Sequence, residues 1–326
     1  MVNLTDQFVK AIVCNSYGPT SKLQLREVEK PTPKSNEVLI KVHFSAVNDY
    51  DWSMVRGEPK LYRLLFGLFK PKHPIPGMEL SGVIESCGDE VTKFKVGDAV
   101  YGDISAHGFG SFAEYVAIHE NAIVRKPEYL PFEEATALSH AANLAWQGLV
   151  DFGKIEKDMN VLINGAGGGV GSIGLQIAKT YNCQVTGVDT GDKLKAMKET
   201  GFDYIIDYKK EDFTRSGNKY DLILDAKTTR APKAYQKMLN PNGKYVTVGG
   251  KIGRLLQIAL AQHVMKKPVY IVPLDANKDL EQIHVLYESG KIKPLIDGPF
   301  SLEKTGEAIQ YFGEGKHHGK VIVSIK

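Results

Sequence analysis

The amino-acid sequence predicts an α/β protein in which a doubly wound parallel sheet accompanies a separate β-rich region. Three observations predict it. Up to about residue 130 the chain consists of short β runs cut by turn residues. From about residue 158 strand patterns alternate with helical ones, which implies a parallel sheet covered by helices on both faces. At residues 161–179, "VLINGAGGGVGSIGLQIAK" joins an apolar strand to a helix through a glycine cluster.

The early strands are "FVKAIVCNSY", "EVLIKVHFSAV", "ELSGVIESCG" and "AEYVAIHE", which are apolar or alternating. "KPTPKSNE" and "KVGDAVYGD" supply Pro, Gly and Asp punctuation. The alternating region then runs "MNVLING", "GSIGLQIAKTYN", "CQVTGVD", "KLKAMKETG", "YIIDY", "YDLILDA", "APKAYQKMLNPNG" and "KYVTVGG". After "PVYIVPL" come two amphipathic helices, "DLEQIHVLYESGK" and "LEKTGEAIQYFGEG", and a closing strand, "GKVIVSIK". No internal repeat or low-complexity linker interrupts this order.

Bulk properties narrow the function classes. The chain has 326 residues, 43% hydrophobic and 24% charged, a length that favours two domains. A net charge of +3 with no long basic block leaves no electrostatic footprint for nucleic acid. "LLFGLF" and "LLQIALAQHVM" are too short to span a bilayer, and "MVNLTDQFVK" has no apolar signal core. Cys14, Cys87 and Cys183 are odd in number and widely spaced, so neither a disulfide framework nor a metal knuckle is expected. A reducing, cytoplasmic setting follows.

The glycine cluster carries the clearest chemistry. Aligned on its last glycine it reads Ala166-x-Gly168-Gly169-Val170-Gly171, with Ala in place of the first glycine of a dinucleotide fingerprint. Glycines let the backbone approach a pyrophosphate, and the helix N-terminus offers free N–H groups and partial positive charge. Asp189 ends the next strand, 18 residues beyond Gly171, close to the spacing of the acidic residue that meets the ribose. A Rossmann dinucleotide site is expected.

The whole pattern resembles the medium-chain dehydrogenase/reductase superfamily, specifically its zinc-independent quinone oxidoreductase branch. The resemblance rests on "SAVNDYDW", "PGMELSGVIESCGDEVTKFKVGDAVYG", "GSFAEYVAI", "LINGAGGGVGSIGLQIAK", "YDLILDA", "YVTVGG" and "GKVIV", in the family's order. It implies a β-rich, GroES-like catalytic domain of residues 1–139 and 273–326, around a Rossmann domain of residues 140–272. It adds Thr190, Lys193, Tyr208, Ala226, Gly249 and Gly250 to the cofactor-binding set. Zinc-using relatives have a His ligand where this chain has Met78, and a Cys ligand where it has Asn48. The third ligand position falls on or near His140. One possible ligand of three remains, and a catalytic zinc needs three with an open position. Met78 is then a packing residue, and no zinc is expected.

Without a metal, the hydride must go to an acceptor that is already electrophilic, such as a quinone or an α,β-unsaturated carbonyl. The resemblance makes Asn48 the candidate contact to the acceptor or nicotinamide ribose; an Asn that caps a turn is the alternative. Tyr50 is either a donor or a loop aromatic, and His140 either a proton donor or a satisfied, half-buried histidine. Asp51 buttresses the loop. A dinucleotide-binding regulatory or scaffold protein without turnover stays open as a different class. Zinc-free alcohol oxidation would need a strong base, and none stands out.

Three further readings concern specificity and surfaces. Asp189, reinforced by Asp192, favours NAD(H) by repelling a 2′-phosphate, whereas Lys193 and Tyr208 match positions that hold that phosphate in relatives. The balance gives a modest lean to NAD(H), with Lys193 otherwise an ordinary exposed lysine and Tyr208 an adenine-side packing residue. Residues 56–72, "RGEPKLYRLLFGLFKPK", are either a lid over a hydrophobic acceptor or a covering helix. Residues 251–267, "KIGRLLQIALAQHVMKK", line a pocket, join a dimer, touch membrane or belong to the core. Edge pairing through "PVYIVPL", common in the family, favours a homodimer.

Overall fold

The computed structural model describes residues 7–262 and 265–325. Most of the opening "MVNLTDQ", and His263 and Val264 of the 251–267 segment, therefore lie outside the described residues. The chain divides into two compact units: Met1–His140 with Ile296–Lys316 and Lys320–Lys326, and Ala141–Leu295 with His317–Gly319.

The first unit is mostly sheet. Strands β1 (Phe8–Val13) and β2 (Gln24–Glu29) form an antiparallel pair. Strand β3 (Glu37–Ala46) leads into helix α1 (Asp49–Arg56) and the short α2 (Tyr62–Phe66). Then come β4 (Glu79–Cys87), β5 (Ala99–Asp103), β6 (Tyr115–His119), β7 (Val124–Arg125) and helix α3 (Phe132–Trp146), whose first part belongs to this unit. Val38, Ile40 and Val42 alternate along β3 and meet Leu80, Ile84, Val100 and Phe112 in one buried cluster. Period-2 alternation on a pleated strand puts these side chains on one face.

The second unit carries β8 (Asn160–Asn164), α4 (Gly169–Thr180), β9 (Gln184–Asp189), α5 (Lys193–Thr200), β10 (Tyr204–Asp207) and β11 (Tyr220–Asp225). It continues with α6 (Pro232–Met238), β12 (Leu239–Thr247), α7 (Ile252–Ala261), β13 (Val269–Ile271) and α8 (Leu280–Glu288). Its sheet runs β10-β9-β8-β11-β12-β13, with every pair parallel. The order reverses beside β8, as in a doubly wound Rossmann sheet. Strands β14 (Ile296–Ser301) and β15 (Lys320–Ser324), with helix α9 (Thr305–Gly313) between them, return to the first unit. Its main sheet reads β14-β15-β3-β4-β5-β7, with β6 also on β3.

The units divide at Leu295 and Ile296, whereas the sequence reading placed that return at residue 273. The segments on both sides of α8 are tied to the second unit by side-chain amides. Gln147 Nε2 donates to the Asp275 carbonyl and to Asp279 Oδ2, each at 2.8 Å, and Gln176 Nε2 donates to the Lys293 carbonyl at 2.9 Å. Two other elements depart from the expected pattern. Helix α1 stands in the region read mostly as strands, and α3 in the stretch between the two patterns. Strand β12 starts at Leu239 rather than at "KYV", because an irregularity opposite Tyr220–Leu222 absorbs the turn-like "NPNG".

Candidate active site

In the second unit the predicted cofactor residues gather at the carboxyl ends of the parallel strands. Val161, Leu162 and Ile163 of β8 are fully buried, and the chain leaves them through Gly165 at φ +88°. Helix α4 begins at Gly169, with Gly168 as its N-cap. A Cβ on Gly171 would lie 2.4 Å from the Gly165 carbonyl oxygen and 2.5 Å from Ala166 Cα, so only glycine lets the helix pack on the turn. A Cβ on Gly168 would meet nothing nearer than 3.5 Å. The protein leaves that side of the turn open, as a backbone cradle for a diphosphate requires.

Asp189 closes β9 beneath this turn. Its Oδ2 accepts the Gly167 N–H at 2.9 Å and its Oδ1 the Thr190 N–H at 3.0 Å. The Lys193 ammonium stands 3.9 Å from Oδ2, on a side chain only 4% exposed. Lys193 is therefore not an ordinary surface lysine, and its charge offsets that of Asp189. Thr190 Oγ1 donates to Asp207 Oδ1 at 2.6 Å, a bond that helps hold the Asp207 carboxyl below its ordinary range. Tyr208 is exposed beyond β10; burial first, and then the Asp189 charge, push its phenol up. Ala226 follows β11 and donates its N–H to the Asn164 carbonyl at 3.0 Å. Gly249 and Gly250 follow β12, Gly250 at φ +134° with a would-be Cβ 2.5 Å from the Lys227 carbonyl oxygen. The sequence reading missed one participant: the Gly319 N–H donates to the Gly167 carbonyl at 2.8 Å and pins the 317–319 segment to the turn. The open glycine side, the helix N-terminus and the carboxylate at the next strand end fit a dinucleotide.

The predicted catalytic residues lie in the first unit, and two of them, Asn48 and His140, meet at one carboxylate, that of fully buried Glu79. Asn48 occupies the N-cap position of α1. Its Nδ2 donates to Glu79 Oε2 and its Oδ1 accepts from Lys320 Nζ, both at 2.6 Å. Lys320 also pairs with Glu79 Oε2. The amide orientation follows from charge: its oxygen faces an ammonium and its nitrogen a carboxylate. The Ser139 hydroxyl and the His140 backbone N–H donate to Glu79 Oε1, each at 2.7 Å. Asn48 and His140 are thus held by the two oxygens of one carboxylate.

His140 Nδ1 lies 2.7 Å from Asp103 Oδ2, and the Ser105 N–H donates to Asp103 Oδ1 at 2.9 Å. Burial pushes the Asp103 carboxyl up, but the His140 hydrogen bond and charge, with Ser105, leave it below its ordinary value. Asp51 accepts the Asn48 N–H at 2.8 Å and the Gly77 N–H at 3.0 Å. Complete burial outweighs these bonds and the Lys320 charge, and its carboxyl is pushed up to about 7. Tyr50 is exposed, with its ring 6.0 Å from Phe66; burial and then the Asp103 charge raise its phenol. Met78 is fully buried, and its backbone carbonyl accepts the Ile104 N–H. Among the described residues, no group of three or more His, Cys, Asp or Glu is placed to hold a metal ion.

Glu79, Asp103, Ser139 and Lys320 are members of the cluster to which no sequence motif assigns a role. One signal pointed at Lys320: it opens the otherwise apolar run "KVIV" of a buried strand, where a charge needs a partner.

Comparison with known proteins agrees with both units. The alcohol dehydrogenase GroES-like domain matches residues 34–128, and the zinc-binding dehydrogenase family matches residues 200–323. The chain is 33% identical to 2-methylene-furan-3-one reductase of Solanum lycopersicum, covering 97% of this chain and 79% of that protein. It is 31% identical to the chloroplastic NADPH-dependent alkenal/one oxidoreductase of Arabidopsis thaliana, with the same coverage of 97% and 79%. Its structure is similar to that of the quinone oxidoreductase from Coxiella burnetii, with a TM-score of 0.85 at 26% identity, covering 98% and 100% of the two chains. The chain belongs to the medium-chain dehydrogenase/reductase superfamily, in its quinone oxidoreductase-like branch.

Proposed function

We propose that the protein is an NAD(P)H-dependent, zinc-independent oxidoreductase that reduces quinones or α,β-unsaturated carbonyls. The observation that carries this reading is the network around Glu79. Where zinc-using relatives have Cys and His ligands, this chain has Asn48, tied to Glu79 and Lys320, and a buried Met78. Relatives named for furanone, alkenal and quinone reduction support the acceptor class.

Reduced dinucleotide, held by Ala166, Gly168, Gly169, Val170 and Gly171 with Asp189 and Thr190, supplies a hydride when bound. The remaining work belongs to the side chains. Asn48 uses one N–H on Glu79 and keeps the other for an acceptor oxygen that gains negative charge. His140 gives Nδ1 to Asp103, which leaves Nε2 to carry a proton toward the reduced product. Tyr50, with its raised phenol, stays protonated and serves as a second donor.

Lys193 beside Asp189 lessens the repulsion of a 2′-phosphate without removing the carboxylate, so a modest preference for NAD(H) remains, with NADP(H) usable. The terminal position of β13 in its sheet supports a homodimer through strand pairing. Three free cysteines suit a reducing compartment, here read as cytoplasm.

The test follows reduced-nicotinamide absorbance across a panel of quinones and enones, with both cofactors, on protein assayed for zinc. Turnover without stoichiometric zinc is expected. Dinucleotide binding with no acceptor reduced would instead favour a non-catalytic, dinucleotide-binding protein.

A further inference from the structure

We propose that residues 60–72 form a docking surface for the anionic face of a lipid bilayer. Only one side of this segment packs on the protein. Phe66 lies 6.0 Å from both Tyr50 and Phe109, and Tyr62 lies 6.0 Å from Phe66. The other side is bare: Leu61 is 47%, Leu64 64%, Leu68 56% and Phe69 87% exposed. Single exposed apolar residues need no explanation, but four large ones within nine positions mark a surface that something covers.

This tip is held outward by the backbone. Tyr17 Oη donates to the Gly67 carbonyl at 2.6 Å, the Gly67 N–H to the Arg63 carbonyl at 2.9 Å, and the Lys72 N–H to the Phe66 carbonyl at 2.7 Å. Gly67 sits at φ +119°, where a Cβ would lie 2.1 Å from the Lys70 carbonyl oxygen, and Pro71 is buried. Leu68 and Phe69 therefore project from a pinned turn.

Charge identifies the occupant. Lys60, Lys70 and Lys72 are exposed around the apolar tip and, among the described residues, make no ion pair. Residues 56–72 contain Arg56, Lys60, Arg63, Lys70 and Lys72 against one acid, Glu58, so their local excess surpasses the +3 of the whole chain. A second copy presenting the same patch would meet like charge, and a small acceptor has no need of flanking ammonium groups. An anionic bilayer satisfies both features: apolar tips enter the acyl boundary while lysines reach the phosphates. No described helix is long and apolar enough to cross a membrane, so this contact is peripheral. It stands on exposure and charge and is independent of the acceptor.

The test is sedimentation of the full-length protein with phosphatidylcholine vesicles, with and without phosphatidylglycerol. Binding is expected only to the mixed vesicles and should weaken with salt. Leu68→Ser with Phe69→Ser, and separately Lys60→Gln with Lys70→Gln and Lys72→Gln, should each lower vesicle affinity by about tenfold or more while dinucleotide affinity is unchanged. Phe69→Trp gives a second measurement, a blue-shifted emission on adding mixed vesicles. Absence of vesicle binding by the native protein, binding that ignores both sets of substitutions, or a dimer that falls apart on Phe69→Ser would each overturn the proposal.

Discussion

The glycine turn of the second unit and the Glu79 cluster of the first offer a ligand opposite kinds of surface. At the turn the groups presented are main-chain N–H donors, and what matters is the side chains that are missing. Around Glu79 the groups presented are mostly side chains, packed together and bonded to one another. A backbone cradle is robust to its neighbours and sensitive to any atom added inside it. A buried ionic cluster is the reverse: its volume is filled, and it fails when one partner is taken away.

The sharpest way to break this contrast is Lys320→Met. It leaves the Glu79 carboxylate buried without its cation and releases Asn48 Oδ1. Removing one partner of such a pair costs about 3–5 kcal/mol, so the denaturant midpoint should fall far and turnover with it. A variant of unchanged stability would mean that Glu79 takes up a proton or water at little cost.

Asp51 gives a pH-dependent effect of intermediate size. Its carboxyl is raised from 3.8 to about 7 in the folded protein, so folding favours the protonated form. The associated stability is present at acid pH and is lost as pH rises through that window. Native stability, measured relative to Asp51→Asn by urea midpoints, should therefore decline by on the order of 1 kcal/mol per pH unit between about pH 4 and pH 7. Parallel pH profiles for the two proteins would show that the two N–H donors keep Asp51 near its ordinary value.

The smallest effects separate two glycines of one turn. Gly171→Ala pushes a Cβ within 2.4–2.6 Å of backbone atoms and should cost about 1–3 kcal/mol of stability. Gly168→Ala, whose Cβ has room, should melt like the native protein and bind dinucleotide about tenfold less tightly, or roughly 1.4 kcal/mol. Matched losses of stability and affinity in Gly168→Ala would turn the cradle into a packing contact.

The turn was legible in the sequence because strand, turn and helix follow one another between residues 161 and 179, and each is set by local physics. The alternating elements of the second unit were legible for the same reason. The Glu79 cluster was legible only at Asn48, Asp51 and His140, because its other members meet through sheet order. Strands β15, β3, β4 and β5 lie side by side, and their register sets Ile322 against Ala46, Ser45 against Leu80, and Glu79 against Asp103. Lys320, Asn48, Glu79 and Asp103 thus fall side by side at one end of the sheet although far apart in the chain. No periodicity announces such a row. Helix α3 escaped for another reason: "FEEATALSHAANLAW" is apolar on nearly every side, and a helix buried all round has no amphipathic stripe to read.

Strand β15 carries a consequence in time. The six strands of the second unit are synthesised as one uninterrupted block, whereas the first unit waits for a strand that follows that block. A growing chain can therefore complete its nucleotide-type sheet while Glu79 still lacks its lysine. Such non-local closure is slow compared with local assembly. The Glu79 cluster is completed last, so on the proposed function a chain halted before residue 320 should hold dinucleotide without reducing an acceptor.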